Sequence, residues 1–232
     1  MKIIAPILIT GLITVGILTL SGQANKVGIT ISENSYINFQ INYQLILLGF
    51  ALLSMISSYL LNPDSFKSIL SVGNISAIGE ELKIFGIKRG DSWLKTGISL
   101  SIVISTITGI FMYFQLKEQP IDYSLLKTGL FWIVIFSLTN SFSEEIIYRV
   151  GVNGPLADLV SPNKIFLISA AIFGIAHIQG MPNGIIGVIL AGLLGYVLSK
   201  SVYETNGIFW AWIIHFLQDM IIIGSLYLIK SS

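Results

Sequence analysis

The sequence contains no cysteine and only two histidines, and charged residues make up just 11% of its 232 positions. The absence of cysteine excludes disulfides, thiolate metal ligands and a cysteine nucleophile. A net charge of +1 gives no indication of a nucleic-acid or acidic partner. Instead, 53% of the residues are hydrophobic and the mean hydropathy is +0.82, which is outside the composition of soluble domains.

Long apolar runs predict membrane-spanning helices. A helix needs about 20 apolar residues to cross the hydrocarbon core, and four runs approach this length: Ile3–Leu20, Tyr43–Leu61, Thr96–Phe114 and Ile208–Ile229. A fifth run, Leu125–Val150, carries charges near its end. Two shorter runs, Ile165–Ile178 and Gly184–Leu198, predict a helical hairpin inside a bundle, where neighbouring protein covers the backbone.

The sequence therefore predicts an all-α, polytopic membrane bundle of about seven transmembrane helices that forms a single domain over residues 1–232. A cleavable signal peptide is the alternative interpretation of Met1–Leu20, because the small residues "SGQA" follow it. The length of the apolar stretch and the spans that follow favour a membrane helix.

Basic residues predict the orientation of the bundle. The polar loop of residues 62–95 contains several of them: Lys67, Lys83, Lys88, Arg89 and Lys95. Under the positive-inside rule this loop is cytoplasmic, and the N-terminus lies on the same side. Its mixture of apolar and charged residues predicts a helix at the cytoplasmic interface, with Trp93 at headgroup level.

Ionisable residues occur inside three of the predicted spans, where each charge costs a few kcal/mol. One histidine alone is most simply a packed core residue, but both histidines and a pair of adjacent glutamates fall in these spans. This joint occurrence favours a functional site inside the membrane. The residues are Glu144, Glu145 and Arg149 on one helix, His177 on the next, and His215 with Asp219 on the last.

Helical spacing predicts different roles for the two glutamates. Adjacent side chains point about 100° apart, so Glu144 and Glu145 are not expected to face the same histidine. Glu145 and Arg149 form a favourable i,i+4 pair, and a buried arginine requires a counter-ion. Glu144 is then left to face a cavity, with Asn140 and Tyr148 one turn away.

The remaining motif residues also form i,i+4 pairs. Asp219 lies one turn from His215, where its carboxylate is placed to orient the ring, fix its tautomer or bind a polar group of a substrate. Phe173 lies one turn from His177 and is expected to wall the cavity.

A carboxylate and an imidazole that share one water can deprotonate it for attack on a carbonyl, and a second histidine can bind the resulting oxyanion. This set is therefore typical of a water-activated peptidase. A zinc ion held by Glu144, His177 and His215 is an alternative. A non-catalytic immunity or scaffold protein and, with less support, a proton-coupled transporter also remain open, because buried Glu and His build proton relays as well.

Three ordered motifs carry a resemblance to a known family. "EEIIYR" fits EExxxR, "FGIAH" fits FxxxH and "HFLQD" fits HxxxN/D, and a looser match lies in "FGIKRGDSW". Over about Leu125–Ile229 the chain resembles the CAAX protease and bacteriocin-processing (Abi) family of intramembrane endopeptidases.

The resemblance implies a role for each motif residue. Glu144 would be the base that acts on water together with His177, and His215 and Asp219 would bind the oxyanion. Supporting roles fall to Glu145, Arg149, Phe173 and Tyr148. The mechanism implied is metal-free and needs no cofactor.

The family also implies partners and a location. The substrate would be a peptide or a membrane protein. Eukaryotic members that process prenylated proteins carry Asn at the last motif position, so Asp219 places this chain with the prokaryotic variants and prenyl specificity is not carried over. Bacterial relatives are associated with bacteriocin processing or immunity, which implies a location in the bacterial cytoplasmic membrane.

Overall fold

The computed structural model describes residues 2–230, and for Lys230 only the backbone. Met1, Ser231 and Ser232, which include both ends of the predicted domain, lie outside the described residues. The α-helices are α1 (Ile4–Leu20), α2 (Ser35–Leu61), α3 (Pro63–Ile69), α4 (Trp93–Leu116), α5 (Leu126–Glu145), α6 (Gly151–Leu156), α7 (Pro162–Ala176), α8 (Gly184–Thr205) and α9 (Phe209–Lys230). A π-helical turn, Ile146–Val150, joins α5 to α6, and is called the π segment below.

The predicted all-α polytopic bundle is confirmed. Within residues 2–230, six helical stretches are long and apolar enough to cross a membrane, and they contain α1, α2, α4, α5 to α6, α8 and α9. The seventh predicted helix, α7, has 15 residues. At 1.5 Å per residue it extends about 22 Å, which is shorter than the hydrocarbon core of about 30 Å.

The predicted hairpin of two short runs is formed by α7 and α8, which pack closely against each other. Glycines make this approach possible. A Cβ at Gly195 would lie 3.2 Å from the Cα of Ala170, and one at Gly174 would lie 3.3 Å from the Cα of Gly192. The small residues of α8 therefore serve packing inside the chain, as small residues commonly do between membrane helices.

The helix α2 begins at Ser35, eight residues before the apolar run that predicted it. Asn34 caps it, since its Oδ1 accepts hydrogen bonds from the backbone N–H groups of Tyr36 and Ile37. Polar residues of the first turns are buried with partners: Asn42, for example, bonds both the N–H and the carbonyl of Ile29. A hydropathy pattern alone does not detect such a start.

The predicted interfacial helix in residues 62–95 is wrong. After the short α3 the chain turns back on itself, with left-handed glycines at Gly73, Gly86 and Gly90. Two isolated antiparallel β-bridges, Ile78 with Ser92 and Leu82 with Ile87, hold the turns together. Trp93 is fully buried inside the protein, where its Nε1 donates to Glu204 of α8 at 2.7 Å; its level in the membrane stays a prediction.

The loop also carries an exposed ion pair next to α4. Lys95 Nζ donates to Asp91 Oδ1 at 2.8 Å, and this hydrogen bond lowers the pKa of the Asp91 carboxyl.

The segment that carries the diglutamate lies at the centre of the molecule, and residues 143–156 are all buried. Side chains of α2 and of Asn62, the residue that follows it, bond its backbone at regular intervals. Ser54, Ser58 and Asn62 donate to the carbonyls of residues 146, 150 and 154 at 3.4, 2.8 and 3.3 Å. We call these three residues the α2 ladder. Because these donors come from α2 and its C-terminal end, α2 fixes the position of the π segment along the axis of the bundle.

Candidate active site

The first motif lies where α5 passes into the π segment. Nε of Arg149 lies 2.9 Å from Oε2 of Glu145, and Nη2 donates to Oε1 at 3.2 Å. Both side chains are fully buried. One guanidinium thus contacts both oxygens of one carboxylate, with a hydrogen bond through Nη2 and an ion-pair contact through Nε. The structure therefore contains the counter-ion pair that the spacing predicts.

Arg149 also contacts α7. Its Nη1 donates to Oγ of Ser169 at 3.0 Å, and that hydroxyl donates to the carbonyl of Tyr148 at 2.8 Å. The guanidinium carbon lies 4.4 Å from the centre of the Phe173 ring, close enough for a cation–π interaction. Arg149 therefore joins α5 to α7 and helps to hold Phe173 in place.

His215 of α9 contacts both glutamates, so the expectation that adjacent glutamates cannot face one histidine is wrong. Its Nδ1 lies 2.8 Å from Oε1 of Glu145, and its Nε2 lies 3.8 Å from Oε2 of Glu144. The imidazole has two nitrogens on different edges, and each edge faces one carboxylate. The angle between adjacent helical side chains separates the carboxylates but leaves room for a ring between them.

His177 follows the last residue of α7 and is held by the backbone of that helix. Its Nδ1 lies 2.8 Å from the carbonyl oxygen of Phe173. A carbonyl only accepts, so Nδ1 carries the hydrogen, and Nε2 of the neutral ring has a lone pair. That Nε2 lies 3.6 Å from Oε2 of Glu144. One carboxylate oxygen of Glu144 therefore faces the Nε2 atoms of both histidines.

Asp219 lies one turn after His215 on α9. Its Oδ1 is 3.8 Å from Nε2 of His215, beyond hydrogen-bond distance, so Glu145 rather than Asp219 makes the hydrogen bond that orients the ring. Asn140 connects the two ends of the site, since its Nδ2 donates to Oε1 of Glu144 and to Oδ2 of Asp219, both at 3.0 Å.

Two aromatic rings wall the site. The ring centre of Phe173 lies 4.3 Å from that of His177 and 5.7 Å from that of His215. Tyr148 meets Phe173 edge to face at 5.2 Å. Both aromatic side chains are buried, so they exclude water from the α7 side of the histidines.

Two cavities meet at these residues. The apolar cleft, of about 270 Å³, lies between α4, α8 and α9 and reaches His177, His215 and Asp219. The second cavity, of about 470 Å³, lies between α1, α2, α5 and α9 and reaches Glu144, Tyr148 and Asn140. We call it the polar cavity because its lining is more polar than that of the cleft, although apolar side chains contribute most of it. His177, Met181, Asp219 and Ile222 line both, so the motif residues occupy the boundary between an apolar and a polar space.

The structure thus brings together every residue that the motifs predict: Glu144, Glu145, Arg149, His177, His215, Asp219, Tyr148 and Phe173. Their roles stay predictions. Two uncharged contributors, Gln44 and Ser169, lie outside the predicted set. Ser169 lies one turn before Phe173 on the same face of α7, and Gln44 is a buried amide in an apolar helix. A polar residue in such a position is itself a signal, since it requires a partner inside the bundle.

Within residues 2–230, no group of three or more His, Cys, Asp or Glu side chains is suited to hold a metal ion. A zinc ion at Glu144, His177 and His215 stays an alternative that a chelator can test.

Comparison with known proteins agrees with the motifs. Residues 126–221 match the model of a family described as Rce1-like, type II CAAX prenyl endopeptidase Rce1-like. The matched region contains all three motifs and confirms the predicted resemblance to the CAAX protease and bacteriocin-processing family. No curated protein and no solved structure matches the chain.

Proposed function

We propose that this chain, whose residues 126–221 match the Rce1-like family model, is an intramembrane endopeptidase that activates water with Glu144 and His177. The observation that carries the proposal is the position of Oε2 of Glu144, 3.6 Å from Nε2 of His177 and 3.8 Å from Nε2 of His215. A carboxylate between two imidazoles, at the meeting point of two cavities, is suited to proton transfer.

In the proposed reaction a substrate water hydrogen-bonds both Oε2 of Glu144 and Nε2 of His177. These atoms are 3.6 Å apart, so one water reaches both. Glu144 takes one proton, and the oxygen forms a bond to the carbonyl carbon of the peptide while the carbonyl electrons move to its oxygen. When this intermediate collapses, the C–N bond breaks and Glu144 returns the proton to the leaving amine.

His215 stabilises the oxyanion of this intermediate. In the protonated ring Nδ1 donates to Glu145, which leaves the Nε2–H group for the oxyanion. The carboxylates of Glu144 and Asp219 both lie 3.8 Å from Nε2, which places two acidic groups beside this edge of the ring. Arg149 neutralises Glu145, so that Glu145 remains an acceptor for His215.

The cavities support an apolar peptide or membrane-protein segment as the substrate. The apolar cleft is open to the surface of the bundle, because Ile107 of α4 and Leu190 of α8 line it and are 61% and 47% exposed. An apolar segment in the bilayer therefore reaches His177 and His215 between α4 and α8 without crossing water. The polar cavity on the other side of the site supplies the water.

The proposed location is the bacterial cytoplasmic membrane, with the N-terminus and the loop of residues 62–95 on the cytoplasmic side. The several apolar helices support a multi-pass membrane protein. The basic residues of the loop support the orientation.

The proposal is tested by Glu144→Gln, which keeps the shape of the side chain but removes the base. We expect cleavage to fall at least about 100-fold, the lower end of the contribution of a general base. The peptides of cells that express the wild type are compared by mass spectrometry with those of cells that express Glu144→Gln, and purified protein is then assayed on an internally quenched peptide that contains the cut. Glu33→Gln, in an exposed turn before α2, is the matched control. Full activity of Glu144→Gln overturns the assignment.

Chelation tests the mechanism separately. We expect cleavage of the same quenched peptide to continue in 1,10-phenanthroline, because protein groups supply the base and the oxyanion donor. Loss of activity that added Zn²⁺ restores would favour the zinc alternative instead.

A further inference from the structure

Asn140, one turn before Glu144 on α5, belongs to no motif but contacts two motif carboxylates. Its Nδ2 donates to Oε1 of Glu144 and to Oδ2 of Asp219, each at 3.0 Å. An amide nitrogen has two hydrogens, so both are used on carboxylates from two different helices.

This contact determines which oxygen of Glu144 faces the histidines. Asn140 holds Oε1, and the 3.6 and 3.8 Å distances to His177 and His215 both start from Oε2. Without a donor at Oε1, the terminal torsion of a glutamate is broad and allows the two oxygens to exchange positions.

The orientation of the Asn140 amide is itself fixed from α2. Because carboxylates only accept, the NH₂ group of Asn140 faces them and its Oδ1 faces Gln44, whose Nε2 donates to it at 3.4 Å. The Oε1 of Gln44 in turn accepts from the hydroxyl of Thr139 at 3.0 Å. Gln44 is buried and lies outside the matched family segment. In this arrangement the NH₂ group of each amide faces an acceptor: the carboxylates for Asn140, and Oδ1 of Asn140 for Gln44.

We infer that Asn140, oriented by Gln44, is a positioning residue that holds Glu144 with Oε2 toward the water and couples it to Asp219. The inference rests on the proposed function, because it assigns the base whose geometry is controlled. Asn140 acts through Glu144 and not on the scissile bond.

The first test is Asn140→Leu, which has a similar shape but donates nothing to either carboxylate. Loss of a hydrogen bond to a charged group predicts a decrease in kcat of about 10- to 100-fold on the quenched peptide, with KM changed less than about threefold. Asn42→Leu is the control: Asn42, on α2, is more deeply buried than Asn140, but it bonds the backbone of Ile29 away from the site. We expect Asn42→Leu to lower the melting temperature without lowering kcat of the folded protein.

The second test asks whether Gln44 acts through Asn140. Gln44→Leu removes only the outer, neutral hydrogen bond and is expected to lower kcat about 2- to 10-fold. The double variant, which carries Gln44→Leu and Asn140→Leu, should have the same kcat as Asn140→Leu alone. The hydrogen bonds through which Gln44 acts are already lost in Asn140→Leu. If Asn140→Leu does not fold, Gln44→Leu still tests the proposal. A wild-type kcat for Gln44→Leu would overturn the role of Gln44.

Different results would contradict the proposed function and the positioning role of Asn140. If the wild type and Glu144→Gln cleave equally, the proposed function fails and the positioning role fails with it. If Glu144→Gln is inactive but Asn140→Leu keeps kcat within twofold of wild type, the function stands and the inference about Asn140 is overturned. A decrease confined to KM also contradicts it, because it would place Asn140 in substrate binding.

Discussion

Glu144 and Glu145 are adjacent in the sequence, but their surroundings differ in charge and in access to water. Glu145 is 0% exposed and contacts two basic side chains, Arg149 and His215. Glu144 lines the polar cavity, and its Oε2 lies 3.6 and 3.8 Å from the Nε2 atoms of the two histidines. Burial with a permanent cation suits a structural ion, whereas a cavity wall suits a group that gains and loses a proton.

This difference predicts that Glu145→Gln destabilises the protein while Glu144→Gln does not. Removing one partner of a buried ion pair leaves the other charge uncompensated and costs about 3 kcal/mol of unfolding free energy. Thermal unfolding in detergent, followed by circular dichroism, should give a clearly lower melting temperature for Glu145→Gln than for wild type or Glu144→Gln.

Arg149→Lys is the companion variant. It keeps the charge but loses the two-contact geometry and the stacking on Phe173, so its melting temperature should fall between those of the other proteins. Equal stability of all four would contradict the division of roles between the two glutamates.

The part of the site that could be predicted from the sequence is the part that depends on the spacing of residues within one helix. The Glu145–Arg149 pair lies within one helix, and helix geometry is sufficient to predict it. The contact between Glu145 and His215 joins positions 70 residues apart. A local sequence pattern does not show how α5 and α9 are rotated relative to each other. The position of His215 between the two glutamates therefore could not be predicted.

At the scale of helices, the α2 ladder explains how a π turn is tolerated in the centre of a membrane protein. A π turn disturbs the regular helical hydrogen bonds, and in lipid no water replaces them. The hydroxyl of Ser58 donates to the carbonyl of Val150 at 2.8 Å, and Gly154 leaves room for it, since a Cβ there would lie 3.1 Å from Oγ of Ser58.

We therefore predict that Ser58→Ala lowers the unfolding free energy by about 1 kcal/mol, the net contribution of one buried hydrogen bond. Ser57→Ala is the matched control, because Ser57 is less buried and its hydroxyl bonds only the carbonyl of Ser54 in its own helix. Thermal unfolding of both variants measures the difference. Equal melting temperatures would show that the ladder does not support the π segment.

The apolar cleft between α4 and α8 gives a second prediction at this scale. Ala191 lines the cleft, and Ala191→Trp would fill much of its 270 Å³ with a rigid ring. We expect the KM for a peptide with a large apolar residue beside the cut to rise about tenfold or more, because filling the cleft removes most of the burial of that residue.

Ile189→Trp is the control for this variant, since Ile189 is on the same helix, is 55% exposed and does not line the cleft. Unchanged cleavage by Ala191→Trp would show that the substrate does not enter between α4 and α8.

Hydropathy predicted the helices better than the segments between them. Runs of apolar residues fix where a chain crosses lipid, so α1, α4 and α9 begin and end close to the predicted positions. The helix α8 begins at the predicted residue but continues past Leu198 to Thr205. The loop of residues 62–95 was mispredicted because its structure depends on tertiary contacts, above all the hydrogen bond from Trp93 to Glu204 of α8. A tryptophan near a span is typical of the membrane interface, and only the distant carboxylate explains why this one is buried.

At the scale of the whole molecule, helices from the first half of the chain contribute to the site whose motif residues lie in the matched family segment. The motif residues all lie within residues 126–221, yet α2 supplies Gln44 and the ladder, and α4 supplies one wall of the apolar cleft. The matched segment contains the chemical groups, whereas the preceding helices set their geometry and their access to lipid.

The orientation of the whole bundle gives the last prediction, and the absence of cysteine makes it straightforward to measure. Ile84, in the loop of residues 62–95, is 78% exposed, and Glu118, after α4, has an 85% exposed side chain at the opposite end of the bundle. If the loop is cytoplasmic, a membrane-impermeant maleimide should label Glu118→Cys in intact cells and Ile84→Cys only after permeabilisation. The reverse pattern would place the N-terminus outside and invert the proposed topology, while leaving the geometry around Glu144 unchanged.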